Sequence, residues 1–247
     1  TMINLDQFFA NGYYIGKTDE IVKDETEFKR ISANIKRLAK FNKSEIYKYR
    51  QSIEPDPSLY KDPLEYDELP ERRRLIEENN LVIAQQWWEG QKLSDQSLKT
   101  MLRESSLKYL LNVYPQLTEE NILHVDNFTL YENNDFIKLH RDGRNPGRLC
   151  VILIYLSDLE DYVDGGGRLL IYKKDTLDGG FSFSTLDNDI ETKNCIEVVT
   201  PVVGNFVILD FTKNNPFHAV EPVKNEFKRH CYINFVYNKE EMESNEK

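Results

Sequence analysis

The sequence predicts an α+β fold with a mainly β core, an antiparallel sandwich or barrel with a helical N-terminal region packed on it. Two changes along the chain carry that reading. Apolar residues recur at intervals of three and four through much of residues 1–119, whereas after residue 120 the chain breaks into short, β-rich runs punctuated by glycine. The 247 residues are 40% hydrophobic, enough to bury a substantial core and well clear of a disordered composition. We find no internal repeat and no long low-complexity segment. The expected organisation is a helical region with covering loops over 1–119, a β core over 120–238, and a frayed polar tail over 239–247.

In "ETEFKRISANIKRLAKF", Phe28, Ile31, Ile35 and Leu38 fall on one face of an amphipathic helix. "LPERRRLIEENNLVIAQQWWEG" and "DQSLKTMLRESSLKYLLNVY" also read as helices, the second opening on a capping residue, Ser94 or Asp95. "SIEPDPSLYKDPLEYDELP", rich in proline and acid, reads as a surface loop. In the second half, strands are predicted in "HVDNFTLYEN", "DFIKLHR", "RLCVILIYLS", "GRLLIYK", "CIEVVTPV", "NFVILDF" and "HCYINFVYN". Gly143, Gly147, the triplet Gly165-Gly166-Gly167 and Gly204 punctuate them.

A net charge of −10 argues against a general nucleic-acid binder but leaves room for a local basic pocket. The basic run "PERRRL" is flanked by acid and reads as a solvated helix face. No run of eighteen apolar residues spans a membrane, and the opening stretch lacks the features of a secretory signal. Three cysteines, Cys150, Cys195 and Cys231, form no C-x-x-C pair. They suggest a reducing, cytoplasmic setting without a disulfide framework or a structural zinc site.

The chemistry-bearing signal is a His-x-Asp pair, and the chain holds two: His124–Asp126 and His140–Asp142. A facial-triad Fe(II) centre needs two neutral imidazoles and a carboxylate on one side of the metal, with the other side open. Residues two apart on a strand project to the same side, so a strand end can supply the first pair. His124 opens a strand and reads as structural. His140 closes one and meets Gly143 and the Asn145-Pro146-Gly147 turn, where a barrel mouth would lie. His218, 76 residues after Asp142, emerges just beyond an apolar strand and is the candidate third ligand. In "FKRHCYINFVY", alternation puts Arg229, Cys231, Ile233 and Phe235 on the more apolar, inward face and Lys228 on the outward one. Arg229 would then be an inward guanidinium suited to grip a carboxylate.

Together these residues resemble the iron(II)- and 2-oxoglutarate-dependent oxygenases, in particular their prolyl 4-hydroxylase-like branch. The resemblance covers about residues 120 to 238. "LYENNDFIKLHRDG" is similar to the family's tyrosine-led strand ending in His-x-Asp, with Tyr131 nine residues before His140. "VILIYLSDLEDYVDGGGRLLIY" resembles its "YL…GG-x-L" stretch, with Gly166, Gly167 and Leu169 in register. "TPVVGNFVILDFTKNNPFHAVEPV" resembles the run that carries the distal histidine, here His218. The resemblance implies a double-stranded β-helix (jelly-roll, cupin-like) core, with Fe(II) held by His140, Asp142 and His218. It implies 2-oxoglutarate as co-substrate, contacted by Tyr131 and Arg229, and O2 as oxidant. Arg229 lies eleven residues after His218, where the family's basic residue usually lies nine or ten after. Lys228 stands at ten, and strand parity favours Arg229.

The resemblance further implies hydroxylation of an amino-acid moiety, free or peptide-bound, with release of succinate and CO2. Because the carboxylate of Asp142 is kept where related halogenases carry a small residue, hydroxylation is the default, with desaturation, epoxidation and demethylation open because they use the same triad. The small-molecule or peptide substrate would be covered by the acidic loop and "QQWWEGQ", with one of Trp87 and Trp88 in the core and the other half exposed. Neither general nucleic-acid binding nor membrane association is expected. Three other readings stay open: a 2-oxoglutarate oxygenase acting on another metabolite or a nucleobase, a catalytically silent cupin-like binding module, and a cupin using another metal without 2-oxoglutarate.

Overall fold

The computed structural model describes residues 3–38, 40–43, 83–84, 86–89, 93–132, 135–140, 142, 146–172 and 195–244. Helix α1 (Leu5–Asn11), strand β1 (Tyr13–Lys17), helix α2 (Glu25–Leu38) and strand β2 (Lys40–Lys43) come first. Strands β3 (Ile83–Ala84) and β4 (Gln86–Glu89) precede the long helix α3 (Leu93–Val113). Then follow β5 (Ile122–Tyr131), β6 (Phe136–His140), β7 (Arg148–Tyr155) and β8 (Leu169–Tyr172). The chain continues through β9 (Cys195–Val199), β10 (Asn205–Asp210), β11 (His218–Val220) and β12 (Arg229–Asn238) to helix α4 (Lys239–Ser244). Among the described residues, no helix is long and apolar enough to cross a membrane.

The strands form two antiparallel sheets, a larger one in the order β1-β10-β7-β12-β5-β4-β2 and a smaller one in the order β3-β6-β11-β8-β9. The sequence of β7, RLCVILIY, shows why they stack as they do. A nearly unbroken apolar strand needs cover on both faces. Cys150, Ile152 and Ile154 join Phe28, Ile31 and Ile35 of α2 and Leu98, Leu102 and Leu110 of α3 in one apolar layer. Val151, Leu153 and Tyr155 point the other way, into a second layer with Leu169, Ile171, Leu209 and Val220. Helices therefore coat the outer face of the large sheet, while its inner face meets the small sheet. The predicted stripe on α2 is buried at Phe28, Ile31 and Ile35.

Four expectations are corrected. The predicted helix over 69–90 is, where described, two strands. β4 pairs with β2 on one side and β5 on the other, and β3 pairs with β6. Two sheet edges take up the backbone N–H and C=O groups of this stretch, and that pairing overrides a helical spacing of apolar residues. β1 likewise extends the large sheet by pairing with β10 along five residues, so the first half is not wholly helical. Helix α3 begins at Leu93, ahead of Ser94 and Asp95. The polar tail opens as a helix because the Asn238 side chain accepts hydrogen bonds from the Glu240 and Glu241 amides and caps its first turn. The acidic loop at 52–70, the basic run at 70–75, and the side chains of Trp87 and Trp88 lie outside the described residues.

His230, on the helix-facing side of β12, is 6% exposed. Burial, with Lys36 adding to it, pulls its imidazole down to about 4. Below the ordinary value of 6.5 the unfolded chain takes up a proton that the folded chain refuses. This contribution is thus complete above that value and is lost as pH falls from 6.5 toward 4, by up to about 3 kcal/mol. Denaturant midpoints followed across that window should fall in the wild type and fall less steeply in His230→Asn.

Candidate functional site

The second His-x-Asp pair and His218 meet across the small sheet. Strand β6 ends at His140, β11 begins at His218, and these two residues are register partners in the antiparallel pairing. Asp142 lies two residues past the ladder and is 9% exposed; its Oδ2 stands 3.2 Å from His218 Nε2. Nδ1 of His218 lies 3.0 Å from the Pro216 carbonyl, which can only accept, so Nδ1 carries a proton and donates. Unless the ring is charged, Nε2 then presents a lone pair to a carboxylate oxygen. Two acceptors at that separation call for a cation between them, a proton or a metal ion. Among the described residues no third histidine, cysteine, aspartate or glutamate joins this pair as a metal-binding group. The side chain of His140 lies outside the described residues.

An open cavity lies between the sheets and is walled by Tyr131, Asp142, His218 and Arg229 together with aliphatic side chains. Arg229 opens β12 opposite Tyr131 of β5 and is 2% exposed. Its Nε donates to the Gly167 carbonyl at 2.8 Å. Its guanidinium carbon lies 4.6 Å from the Tyr131 ring centroid and 5.2 Å from that of Tyr155. Among the described residues no carboxylate pairs with it. Lys228, the alternative, is a surface side chain whose Nζ stands 3.9 Å from Glu132. The pocket cation is Arg229, as strand parity indicates.

Two residues, one behind Arg229 and one on the pocket wall, were not singled out as site residues by sequence reasoning. Tyr155 is fully buried beside Arg229, and its hydroxyl interacts with that guanidinium. Burial pushes that hydroxyl well above its ordinary value, with Arg229 opposing, so it is present as a donor. A signal did exist, since Tyr155 shares strand parity with Val151 and Leu153 and is the polar exception among them. Cys231, on the wall, has its thiol pushed up to about 11 by burial, so it stays protonated at neutral pH.

The other pair, His124–Asp126, sits against α3. Asp126 accepts from Arg103 Nε at 2.6 Å, from Arg103 Nη2, and from the Tyr232 hydroxyl at 2.8 Å. Burial alone would raise its carboxyl, but the hydrogen bonds from Arg103 and Tyr232 outweigh it and hold the carboxyl below its ordinary value. His124 Nδ1 lies 2.8 Å from the Asn234 side-chain amide. These contacts join the helix to the sheet, a structural role.

The family model for the 2OG-Fe(II) oxygenase superfamily matches residues 123–237, the segment that carries every one of these pocket residues. That segment is thus similar to the 2OG-Fe(II) oxygenase superfamily. Solved structures with the same fold include prolyl hydroxylases, the branch the sequence resembles. A prolyl-4-hydroxylase from Pseudomonas putida superposes with a TM-score of 0.52 at 15% identity, covering 95% of this chain and 96% of that one. A prolyl hydroxylase from Trichoplax adhaerens, in complex with a hypoxia inducible factor oxygen degradation domain peptide fragment, gives 0.58 at 14% identity, covering 97% and 90%. An oxidoreductase of the 2OG-Fe(II) oxygenase family from Burkholderia pseudomallei gives 0.54 at 12%, covering 96% and 92%. Comparison with curated proteins finds no match. The two antiparallel sheets have the double-stranded β-helix fold of these structures, and the matched segment is similar to a superfamily that uses Fe(II), 2-oxoglutarate and O2.

Gly167 sets the position of Arg229. Its φ is +63°, and an added Cβ would lie 2.9 Å from Val223 and 3.1 Å from Arg229 Cδ. Gly167→Ala should cost about 1–3 kcal/mol of stability, from the unfavourable backbone and the crowding. It should also weaken 2-oxoglutarate binding by pushing the guanidinium aside. Thermal denaturation and calorimetric titration of the co-substrate check the two effects separately.

Proposed function

We propose that the protein hydroxylates an amino-acid moiety, free or within a peptide, in a reaction that consumes 2-oxoglutarate and releases succinate and CO2. One observation carries the co-substrate half of this reading. Arg229 is a buried guanidinium, unpaired by any described carboxylate, in the same cavity as the Asp142–His218 pair. A buried cation without a counter-ion is costly, and a dicarboxylate co-substrate supplies the missing anion. A plain cupin has no need of that clamp.

In this reading His140, Asp142 and His218 hold Fe(II), the histidines as neutral imidazoles and Asp142 as carboxylate. Bound there, iron supplies the activation of O2 that couples decarboxylation of 2-oxoglutarate to oxidation of a substrate C–H bond. The chain's own contribution is placement and exclusion of water. With Nε committed to Gly167, the terminal N–H groups of Arg229 are left for the distal carboxylate of 2-oxoglutarate, and the Tyr155 hydroxyl donates beside them. Tyr131 packs its ring against the guanidinium and keeps it from swinging. Pro216 fixes the His218 tautomer so that Nε2 turns its lone pair toward Asp142. Val151, Leu153, Leu209 and Ile233 line the remaining wall and keep it apolar. The amino-acid preference draws support from the prolyl hydroxylases among the structural neighbours, one of them a peptide complex.

Anaerobic titration of Fe(II) and then 2-oxoglutarate should give a weak visible charge-transfer band near ~500 nm, as expected of an oxo-acid chelating ferrous iron. His140→Ala should abolish it. Arg229→Gln should raise the 2-oxoglutarate dissociation constant about 10- to 100-fold, and Tyr155→Phe about 5- to 10-fold, since each removes a donor to a charged group. No band in wild-type protein that retains iron would sink the oxygenase mechanism. The substrate is read from succinate release stimulated by free amino acids or by proline-containing peptides. Stimulation by nucleobases alone would overturn the amino-acid assignment and leave the co-substrate site standing.

A further inference from the structure

The loop between β10 and β11 bonds to both arms of the site, through two consecutive residues. Its first half is fixed from one end. Asp210 is fully buried, and its carboxylate accepts from the Thr212 amide at 3.1 Å and hydroxyl at 2.6 Å, from the Lys213 and Asn214 amides at 2.9 and 3.0 Å, and from the Tyr114 hydroxyl at 3.0 Å. Asn214 then reaches outward, donating from Nδ2 to the Ala10 carbonyl at 2.7 Å. Asn215 reaches inward, donating from Nδ2 to the Asp142 carbonyl at 2.7 Å. The next residue, Pro216, accepts from His218 Nδ1.

We propose that Asn215 is a positioning residue which locks the Asp142 backbone to the His218 loop, so that carboxylate and imidazole arrive together at one metal ion. The inference rests on the reading of Asp142 and His218 as ligands given above. The β6 ladder stops at His140, and the bond from Asn215 reaches Asp142 two residues beyond it. The amide of Asn215 is 7% exposed, and its Oδ1 has no hydrogen-bond partner among the described residues. A buried amide with one end unsatisfied is a poor packing residue, so its worth lies in the bond its other end makes. Partners that orient metal ligands in this way commonly change metal affinity by about 10- to 100-fold when removed.

The test is anaerobic Fe(II) titration, metal alone, of wild type, Asn215→Asp, Asn215→Leu and Asn214→Ala. Asn215→Asp keeps the shape and loses the donor, so it decides the matter should Asn215→Leu not fold. Both Asn215 variants should bind Fe(II) at least ~10-fold more weakly than wild type, with an altered charge-transfer band on adding 2-oxoglutarate. Their metal-free thermal midpoints should change less than that of Asn214→Ala, which should keep wild-type iron affinity. Asn215→Asp binding iron within about twofold of wild type, a difference small beside the expected loss, would overturn the proposal. So would a loss of affinity in Asn214→Ala as large as in the Asn215 variants, because the loop as a whole would then be responsible. Failure of the wild type to bind iron would remove the ligand assignment itself, a result distinct from either.

Discussion

Arg229 is a permanent charge buried between two sheets, and the geometry around it is built to hold it there. Removing a guanidinium from water costs several kcal/mol unless its surroundings compensate. Part of the compensation is the Gly167 carbonyl, delivered by a turn whose Gly166 and Gly167 both have positive φ. Another part is the faces of Tyr131 and Tyr155, which attract the cation electrostatically. The apolar wall that isolates this charge also makes an anionic ligand more strongly attracted to it than it would be in water.

The two ends of the proposed site are set by different sheets. The small sheet positions the metal-site residues through the β6–β11 pairing, and the large sheet positions Arg229, Tyr131 and Tyr155 through β12, β5 and β7. The fixed spacing of packed sheets, about 10 Å, then couples the two. Helices α2 and α3 act from outside. By burying the outer face of the large sheet, they hold β7 and β12 in the register that puts Tyr155 opposite Cys231, two residues from Arg229.

The β half was legible because its strands alternate cleanly or run apolar between glycine-marked turns. Parity alone told Arg229 from Lys228. What the sequence hid is what long-range pairing decides. Gln86–Glu89 is a strand because β2 and β5 offer it edges, and neither partner lies nearby in sequence. Tyr155 was not singled out, since its significance depends on Arg229, 74 residues away. Asn215 was hidden for the same reason: a loop asparagine carries no signal until the loop is seen to pass Asp142.

The two His-x-Asp pairs show why a motif needs its surroundings. Both lie on or beside a β-strand, and both aspartates are buried. Asp126 is already occupied by the two-pronged grip of Arg103 and by Tyr232, so its oxygens are committed to donors and its charge is neutralised. A metal ion there would have to displace a guanidinium. Asp142 instead faces a ring nitrogen whose partner nitrogen already donates elsewhere, which leaves two lone-pair donors converging on one point. The difference is in what the carboxylate meets, and that follows from which sheet each strand enters: β5 lies under a helix with cationic residues, whereas β6 lies beside the strand that starts with His218.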